Sequence, residues 1–239
     1  MIWNKKFTYP TSTRALIDGK RHYDISNEKL PSVTTILSAT QSEEKKQKLA
    51  EWRQRMGAQY ADRVKDIAAL RGTSMHSYLE GYIKNERHLD LTSIGQEAGN
   101  MAKKVIESGL GDLEEVWGTE VTLYYPGLYA GQTDVVGVYN GRESIIDFKQ
   151  TNKPKQREWI HDYFSQLAAY AMAHNYVYGT QIQSGIILMC SKDGFFQKFE
   201  VFDKEFQGYM HTFLKKVEQY YANCTKNKDS QDTKNDQKV

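Results

Sequence analysis

The spacing of apolar positions changes period along the chain, and those changes predict its elements. Residues 1–30 carry short runs containing Tyr and Ile around an Asp18-Gly19-Lys20 turn, which predicts a small hairpin at the edge of the fold. Pro31-Ser32 opens a short capped helix over the run SVTTILSAT. From 41 to 69 the chain is polar and charged with a helical period, Leu49, Trp52, Arg53 and Met56 following i, i+3, i+4, i+7. Gly57 is a candidate break in that stretch. Arg71-Gly72-Thr73 reads as a helix start, with the helix over about 73–84. A further helix over 91–108 ends at Gly109 and Gly111.

Beyond residue 118 the period shifts toward two. Glu120-Val-Thr-Leu-Tyr-Tyr is β-branched and aromatic, and Pro126-Gly127 marks a turn after it. Strands are expected over 129–139 and 142–149, joined by Asn140-Gly141. A long helix over 157–178 follows a Lys-rich loop. A buried strand over 185–190 and its partner over 195–202 close around Asp193-Gly194, and 203–222 forms a last amphipathic helix. The tail from 225 has no large apolar residue before Val239, so it is expected to stay disordered. The fold class is α/β: a mixed central sheet flanked by helices, with an N-terminal helical segment. One domain over 1–223 is expected, with helices over about 30–110, the sheet core over about 118–202 and a closing helix over 203–223. A disordered tail over 224–239 would follow.

Composition narrows this picture only a little. Hydrophobic residues at 39% and charged residues at 26% describe an ordinary folded chain of 239 residues. The net charge of +2 does not by itself point to a polyanionic partner, so any such claim must rest on where the charges sit. Cys190 and Cys224 are too few for a disulfide framework, a four-cysteine zinc site or a four-cysteine iron–sulfur cluster. No run of about 18 apolar residues exists, so no membrane span is expected. The start MIWNKKFTYP lacks an apolar signal core or an Arg-rich presequence, which points to the cytoplasm of a bacterium or of a phage-infected host.

The chemistry lies in one hairpin. With Asn140-Gly141 as a two-residue loop, Tyr139 faces Arg142, which puts Asp134 opposite Asp147 on one face of the sheet. Like charges directly opposed repel, so the pair calls for a cation between them. Lys149 shares the face, two residues beyond Asp147. A divalent ion compensates two carboxylates better than one ammonium does, and Mg²⁺ favours a few carboxylates with water left in place. Such an arrangement suits cleavage of a phosphodiester, with Lys149 orienting or deprotonating water or stabilising the charge that develops. Ile145, Ile146 and Phe148 surround Asp147, and a charge in so apolar a strand needs a reason.

Four motifs then resemble the RecB-like exonucleases of the PD-(D/E)XK nuclease superfamily. Gly131-Gln-Thr-Asp134 resembles a GxxD motif, and Asp147-Phe148-Lys149 a D-x-K motif. Gln166-Leu-Ala-Ala-Tyr170 resembles the QxxxY helix, and Arg71-Gly-Thr-Ser-Met-His76 an upstream histidine motif. Pro31-Ser-Val-Thr-Thr-Ile-Leu37, followed by a helix bearing Trp and Arg, resembles the group containing the mitochondrial genome maintenance exonuclease and its phage and bacterial relatives.

The resemblance, over roughly 30–200, implies a restriction-endonuclease-like core and a Mg²⁺-dependent DNA exonuclease, with Mn²⁺ able to substitute and no iron–sulfur cluster. His76, Asp134, Asp147 and the backbone carbonyl of Phe148 would be metal ligands, and Lys149 catalytic together with the two aspartates. Gln166 and Tyr170 would contact substrate phosphate or support Lys149. Glu80 is either a partner that orients His76 or an exposed helix charge, and Glu120 either approaches the metal or is structural. Lys153, Lys155 and Arg157 would hold phosphates at the mouth of the site. Trp159 and Tyr163 either stack on bases or belong to the core, the core being the better reading for Trp159. The basic stretch 45–70 would help form a passage for a single strand. The expected partner is DNA, single-stranded by preference, with replication or recombination proteins besides and no membrane. A structure-specific endonuclease and an inactive nucleic-acid-binding module are the competing readings.

Overall fold

Asn140 and Gly141 both adopt positive φ, 48° and 73°, the backbone that a type I′ hairpin requires. They join β6 (Tyr129–Tyr139) to β7 (Arg142–Thr151), and the ladder runs from Tyr139↔Arg142 to Val135↔Ile146 in the expected register. The structure, a computed structural model, describes residues 1–236. Its elements are β1 (Ile2–Trp3), β2 (Thr13–Ile17), β3 (Lys20–Ile25), β4 (Glu28–Pro31), α1 (Val33–Ala39), α2 (Glu43–Met56), α3 (Ala58–Lys84) and α4 (Ser93–Gly109). After α4 come β5 (Leu113–Tyr125), β6, β7, α5 (His161–Tyr178), β8 (Ser184–Ser191), β9 (Phe196–Phe202) and α6 (Asp203–Asp236).

The main sheet has the order β1-β5-β6-β7-β8-β9. It is mixed: β1 runs parallel to β5 and β7 parallel to β8, the second pair connected through α5, while its other pairs are antiparallel. Alternation along the strands feeds two cores. Val136, Ile145 and Ile187 pack with Phe164, Leu167 and Ala168 of α5 and with Phe206 and Phe213 of α6. Val135, Ile146 and Leu188 face the other way, onto Met75, Leu79 and Ile83 of α3 and Met101 and Val105 of α4. A mixed sheet held between helices on both faces is the α/β architecture that the period changes anticipate.

Several local expectations are corrected. Arg71-Gly72-Thr73 starts no helix; α3 passes straight through it, because the break lies upstream at Gly57, with φ 83°. The N-terminal hairpin is part of a second sheet, β2-β3-β4, whose Tyr23, Ile25 and Leu30 pack on Ala130 of β6. The segment before α5 is a short 3-10 turn, Arg157–Trp159, rather than helix. The backbone of α6 continues to Asp236, past the expected end at 223, since neither Gly nor Pro follows Gly208 to stop it. The disorder expected for 237–239 lies outside the described residues. No described helix is long and apolar enough to cross a membrane.

Candidate active site

At Val135↔Ile146 the ladder between β6 and β7 ends, and the strands take different partners. β6 continues against β5, from Val121↔Thr133 to Tyr125↔Tyr129. β7 continues against β8, from Asp147↔Ile187 to Thr151↔Ser191. A fork opens between them at Asp134 and Asp147. The Asp134 carboxylate fills the first lost ladder position, accepting the Phe148 N–H at 2.6 Å. The register that places the two aspartates opposite one another is therefore also where backbone pairing gives way to side-chain chemistry.

α3 lays His76 across this opening. Its Nε2 donates to the Phe148 carbonyl at 3.0 Å, while Nδ1 lies 3.1 Å from Asp134 Oδ1 and 3.8 Å from Glu120 Oε1. Burial alone would lower the imidazole, but the Asp134 and Glu120 carboxylates outweigh it and push His76 up to about 10. Asp134 is held below the usual carboxylate range: burial opposes this, but His76, Lys149 and the Phe148 N–H prevail. Asp147, with the Lys149 ammonium as its ion-pair partner, is pushed up to about 6 by burial despite that ammonium. Burial would also lower Lys149, yet Asp147 and Asp134 raise it, so it stays a cation. Its Nζ sits 5.2 Å from the centre of the Tyr163 ring.

Glu120 enters the site more fully than its sequence context shows. It is the cross-strand counterpart of Asp134, between Thr119↔Val135 and Val121↔Thr133, and it holds φ at 52° in the middle of β5. A left-handed glutamate in a strand is strained by roughly 1–3 kcal/mol, a cost tolerated most often at functional sites. Gln132 fixes it, donating to both its carbonyl (2.9 Å) and its carboxylate (2.7 Å). His76, Glu120 and Asp134 offer ligand atoms all within 4.8 Å of one another, a spacing that could hold a metal ion. Of the ligands expected from sequence, His76 and Asp134 lie in this group together with Glu120, Asp147 pairs with Lys149, and the Phe148 carbonyl accepts from His76. A divalent cation fits this cluster. Its donors are carboxylate oxygens and one imidazole.

Gln166 and Tyr170, one turn apart on α5, form the opposite wall. The Gln166 amide donates to the Tyr170 hydroxyl at 3.0 Å, and both line a cleft of about 410 Å³ with His76, Glu120, Asp134, Asp147 and Lys149. The Tyr170 ring explains the glycine of the GxxD motif: a Cβ on Gly131 would lie 2.6 Å from Tyr170 Cε1. Arg71 is not a site residue. Buried, it donates to Gln150 (2.8 Å), Glu97 (3.2 Å) and Asn152, so it clamps α3 to the end of β7.

Other expected positions fall elsewhere. Glu80 reaches the cleft wall but pairs with Lys84, and does not orient His76. Arg157 is turned to Glu205 of α6 (2.8 Å) and the Glu200 carbonyl (2.9 Å), drawn there by a carboxylate that sequence spacing could not bring near it. Lys153 and Lys155 do not line the cleft, because hydrogen bonds to Gln197 of β9 anchor their loop at Lys155. The basic stretch of α2 is largely neutralised: Lys45 pairs with Asp162, Lys46 with Glu43, Lys48 with Glu44 and Arg53 with Asp62. Trp159 is 56% exposed, not core. With Tyr163 it lines a hollow of about 350 Å³ that shares Thr34 and Gln166 with the cleft. Sequence reasoning missed Arg14 and Arg21, which line the cleft from the small sheet.

The molecule is thus an α/β protein with a cluster of carboxylates, a histidine and a lysine in a sheet fork. No family model matches the chain. Over 221 residues it is 28% identical to mitochondrial genome maintenance exonuclease 1 of Mus musculus, covering 84% of this chain and 64% of that one. Over 179 residues it is 30% identical to the Homo sapiens protein of the same name, covering 69% and 50%. The Xenopus tropicalis protein is 31% identical, over 71% of this chain and 51% of its own length. The chain therefore spans about half to two thirds of the curated relatives it matches. A solved structure from Eubacterium rectale, provisionally described as an exonuclease, shares the fold: TM-score 0.50, 15% identity, 69% of this chain and 68% of that one.

Proposed function

We propose that this chain is a divalent-metal-dependent nuclease that hydrolyses DNA from an end, with single strands preferred. The fork carries the reading: buried carboxylates, a histidine and a lysine meet where the β6–β7 ladder stops. The order of the four motifs supports a PD-(D/E)XK, RecB-like core, and the names of the relatives support exonuclease action. Mg²⁺ is the expected ion, with Mn²⁺ able to replace it.

His76, Glu120 and Asp134 would hold the metal, with Asp147 beside them. Such an ion supplies a polarised phosphoryl oxygen and an acidified water when bound. Lys149, fixed as a cation by Asp147, stabilises charge developing on the phosphate; its raised pKa disfavours a role as base. Tyr170 positions Gln166 through their hydrogen bond, and Gln166 presents its amide where the cleft meets the adjoining hollow. Trp159 and Tyr163 in that hollow offer ring faces to unpaired bases, which a duplex keeps stacked. DNA replication, recombination or repair is the setting in which such an activity is used.

Digestion of linear single strands blocked at the 5′ or the 3′ end, with Mg²⁺ and with chelator, tests this. Cleavage is expected only with the metal and only from an open end. Equal cutting of a circular strand would replace the exonuclease reading with an endonuclease one, and activity in chelator would remove the metal.

A further inference from the structure

Strand alternation brings two exposed arginines of the small sheet to the rim of the cleft. On β3, Arg21, Tyr23 and Ile25 share one face. Tyr23 and Ile25 are buried on that face, packed with Leu30 against Ala130 of β6. Across the β2–β3 ladder Tyr23 faces Arg14 and Arg21 faces Leu16, so Arg14 lies on the same face, diagonal to Arg21, where that face is open and both arginines are exposed. Both arginines line the cleft that holds Asp134, Asp147 and Lys149.

Neither guanidinium makes a hydrogen bond or ion pair among the described residues, and Arg14 has only the Tyr23 ring, 5.8 Å away. The other charges of the cleft are engaged: Lys149 with Asp147, Glu80 with Lys84, and His76 with Asp134 and Glu120. The backbone beneath is fixed. The Arg21 carbonyl accepts from Ser32 N and from Thr35 Oγ1, both at 3.0 Å, which ties it to the first turn of α1. Two guanidiniums on an anchored strand pair, facing a cleft of carboxylates yet paired with none, are placed for an anion that arrives from outside.

We infer that the β2–β3 hairpin is a phosphate clamp, in which Arg14 and Arg21 hold backbone phosphates of a polynucleotide next to the one lying in the fork. A guanidinium presents two parallel donors to phosphate oxygens and cannot lose its charge, so it suits this task better than lysine. The clamp rests on the nuclease reading and assigns substrate contacts to a sheet outside the four motifs.

The test measures binding of a fluorescent single-stranded oligonucleotide to Lys149→Ala protein carrying Arg14→Gln or Arg21→Gln, and KM and kcat in the Lys149-intact forms. Lys20→Gln, which removes an equal charge from the outward face of β3, is the control. Each arginine variant should weaken binding about tenfold. Each should flatten the slope of log affinity against log salt by about 0.7. KM should rise while kcat changes little, and Arg→Lys should restore the salt slope but only part of the affinity. Arginine variants that behave like Lys20→Gln overturn the clamp. Should a glutamine variant unfold more readily, the Arg→Lys form at the same position is read instead: a several-fold loss of affinity at an unchanged salt slope is expected, and wild-type affinity there overturns the clamp. Wild-type protein that neither binds nor cleaves DNA overturns the nuclease reading itself, whereas cleavage with indifferent arginines overturns only the clamp.

Discussion

Two histidines, His76 half-buried and His174 fully buried, mark one region rich in carboxylates and one without them. His76 lies in the fork, with Asp134 and Glu120 around its ring. His174 lies on α5 beneath the N-terminal segment, in a cage of Phe7, Trp117 and Tyr178, with Tyr9 OH at 3.1 Å and Thr180 Oγ1 at 2.7 Å. Burial disfavours the charged ring in both. In the cage nothing opposes it, Lys6 adds to it, and His174 falls to about 4. In the fork two carboxylates outweigh it, and His76 rises to about 10. The lesson is that burial alone does not make a site. An excess of one sign of charge, enclosed and left for something else to balance, does. α5 serves both regions from one stripe: Gln166 and Tyr170 face the fork, and His174, four residues on, faces the cage.

Removing the fork's ammonium should have the largest effect. Lys149→Ala should reduce cleavage by about 10³-fold or more while oligonucleotide binding persists, as read by single-turnover digestion and anisotropy. Unchanged cleavage would end the assignment of Lys149.

The contrast between the histidines should collapse in Asp134→Asn. Without that carboxylate the His76 imidazole should titrate well below 10, moving toward His174, and activity should fall by about 10²-fold. NMR titration of the ring resonances reads the first and digestion the second. A ring still titrating near 10 would show that Asp134 is not what holds the proton.

The cage makes a prediction about stability. A histidine whose pKa falls from 6.5 to about 4 on folding binds more protons when unfolded, so its contribution is present above pH 6.5 and is lost as pH drops toward 4. Between pH 8 and pH 5 the wild type should lose about 1–2 kcal/mol that His174→Gln does not lose. Urea midpoints of both proteins at the two pH values measure this, and parallel pH profiles would refute it.

The smallest effect is expected from Gly131→Ala. The added Cβ meets the Tyr170 ring at 2.6 Å, so the ring must shift and its bond to Gln166 must loosen. Stability should fall by about 1 kcal/mol and kcat by a few-fold with KM little changed. A kcat equal to that of the wild type would leave Tyr170 with packing alone.

Much of the fork is legible in the sequence, because it rests on local rules. Asn140-Gly141 dictates a turn, the turn dictates the register, and the register puts Asp134 across from Asp147. Gln166 and Tyr170 share a helix face by spacing alone. Less legible was Glu120, whose left-handed backbone hides its part from a strand pattern. Trp159 looked like core because large aromatics usually are, yet it stands exposed beside the cleft. The basic runs misled for a related reason. Sequence shows a charge but not its partner, and the partners of Arg157, Arg53 and Lys45 lie 48, 9 and 117 residues away.

Short-range turn geometry alone, then, makes the hairpin, with two aspartates and a lysine on one face of the sheet. What only the tertiary structure decided is where that hairpin opens and what reaches the opening. His76 comes from a helix packed on the other face of the sheet, and Glu120 from a strained position on the neighbouring strand. Arg14 and Arg21 come from a second sheet whose inward face overhangs the cleft. Those contacts follow from burial of apolar surface across long separations, which has range but no local code.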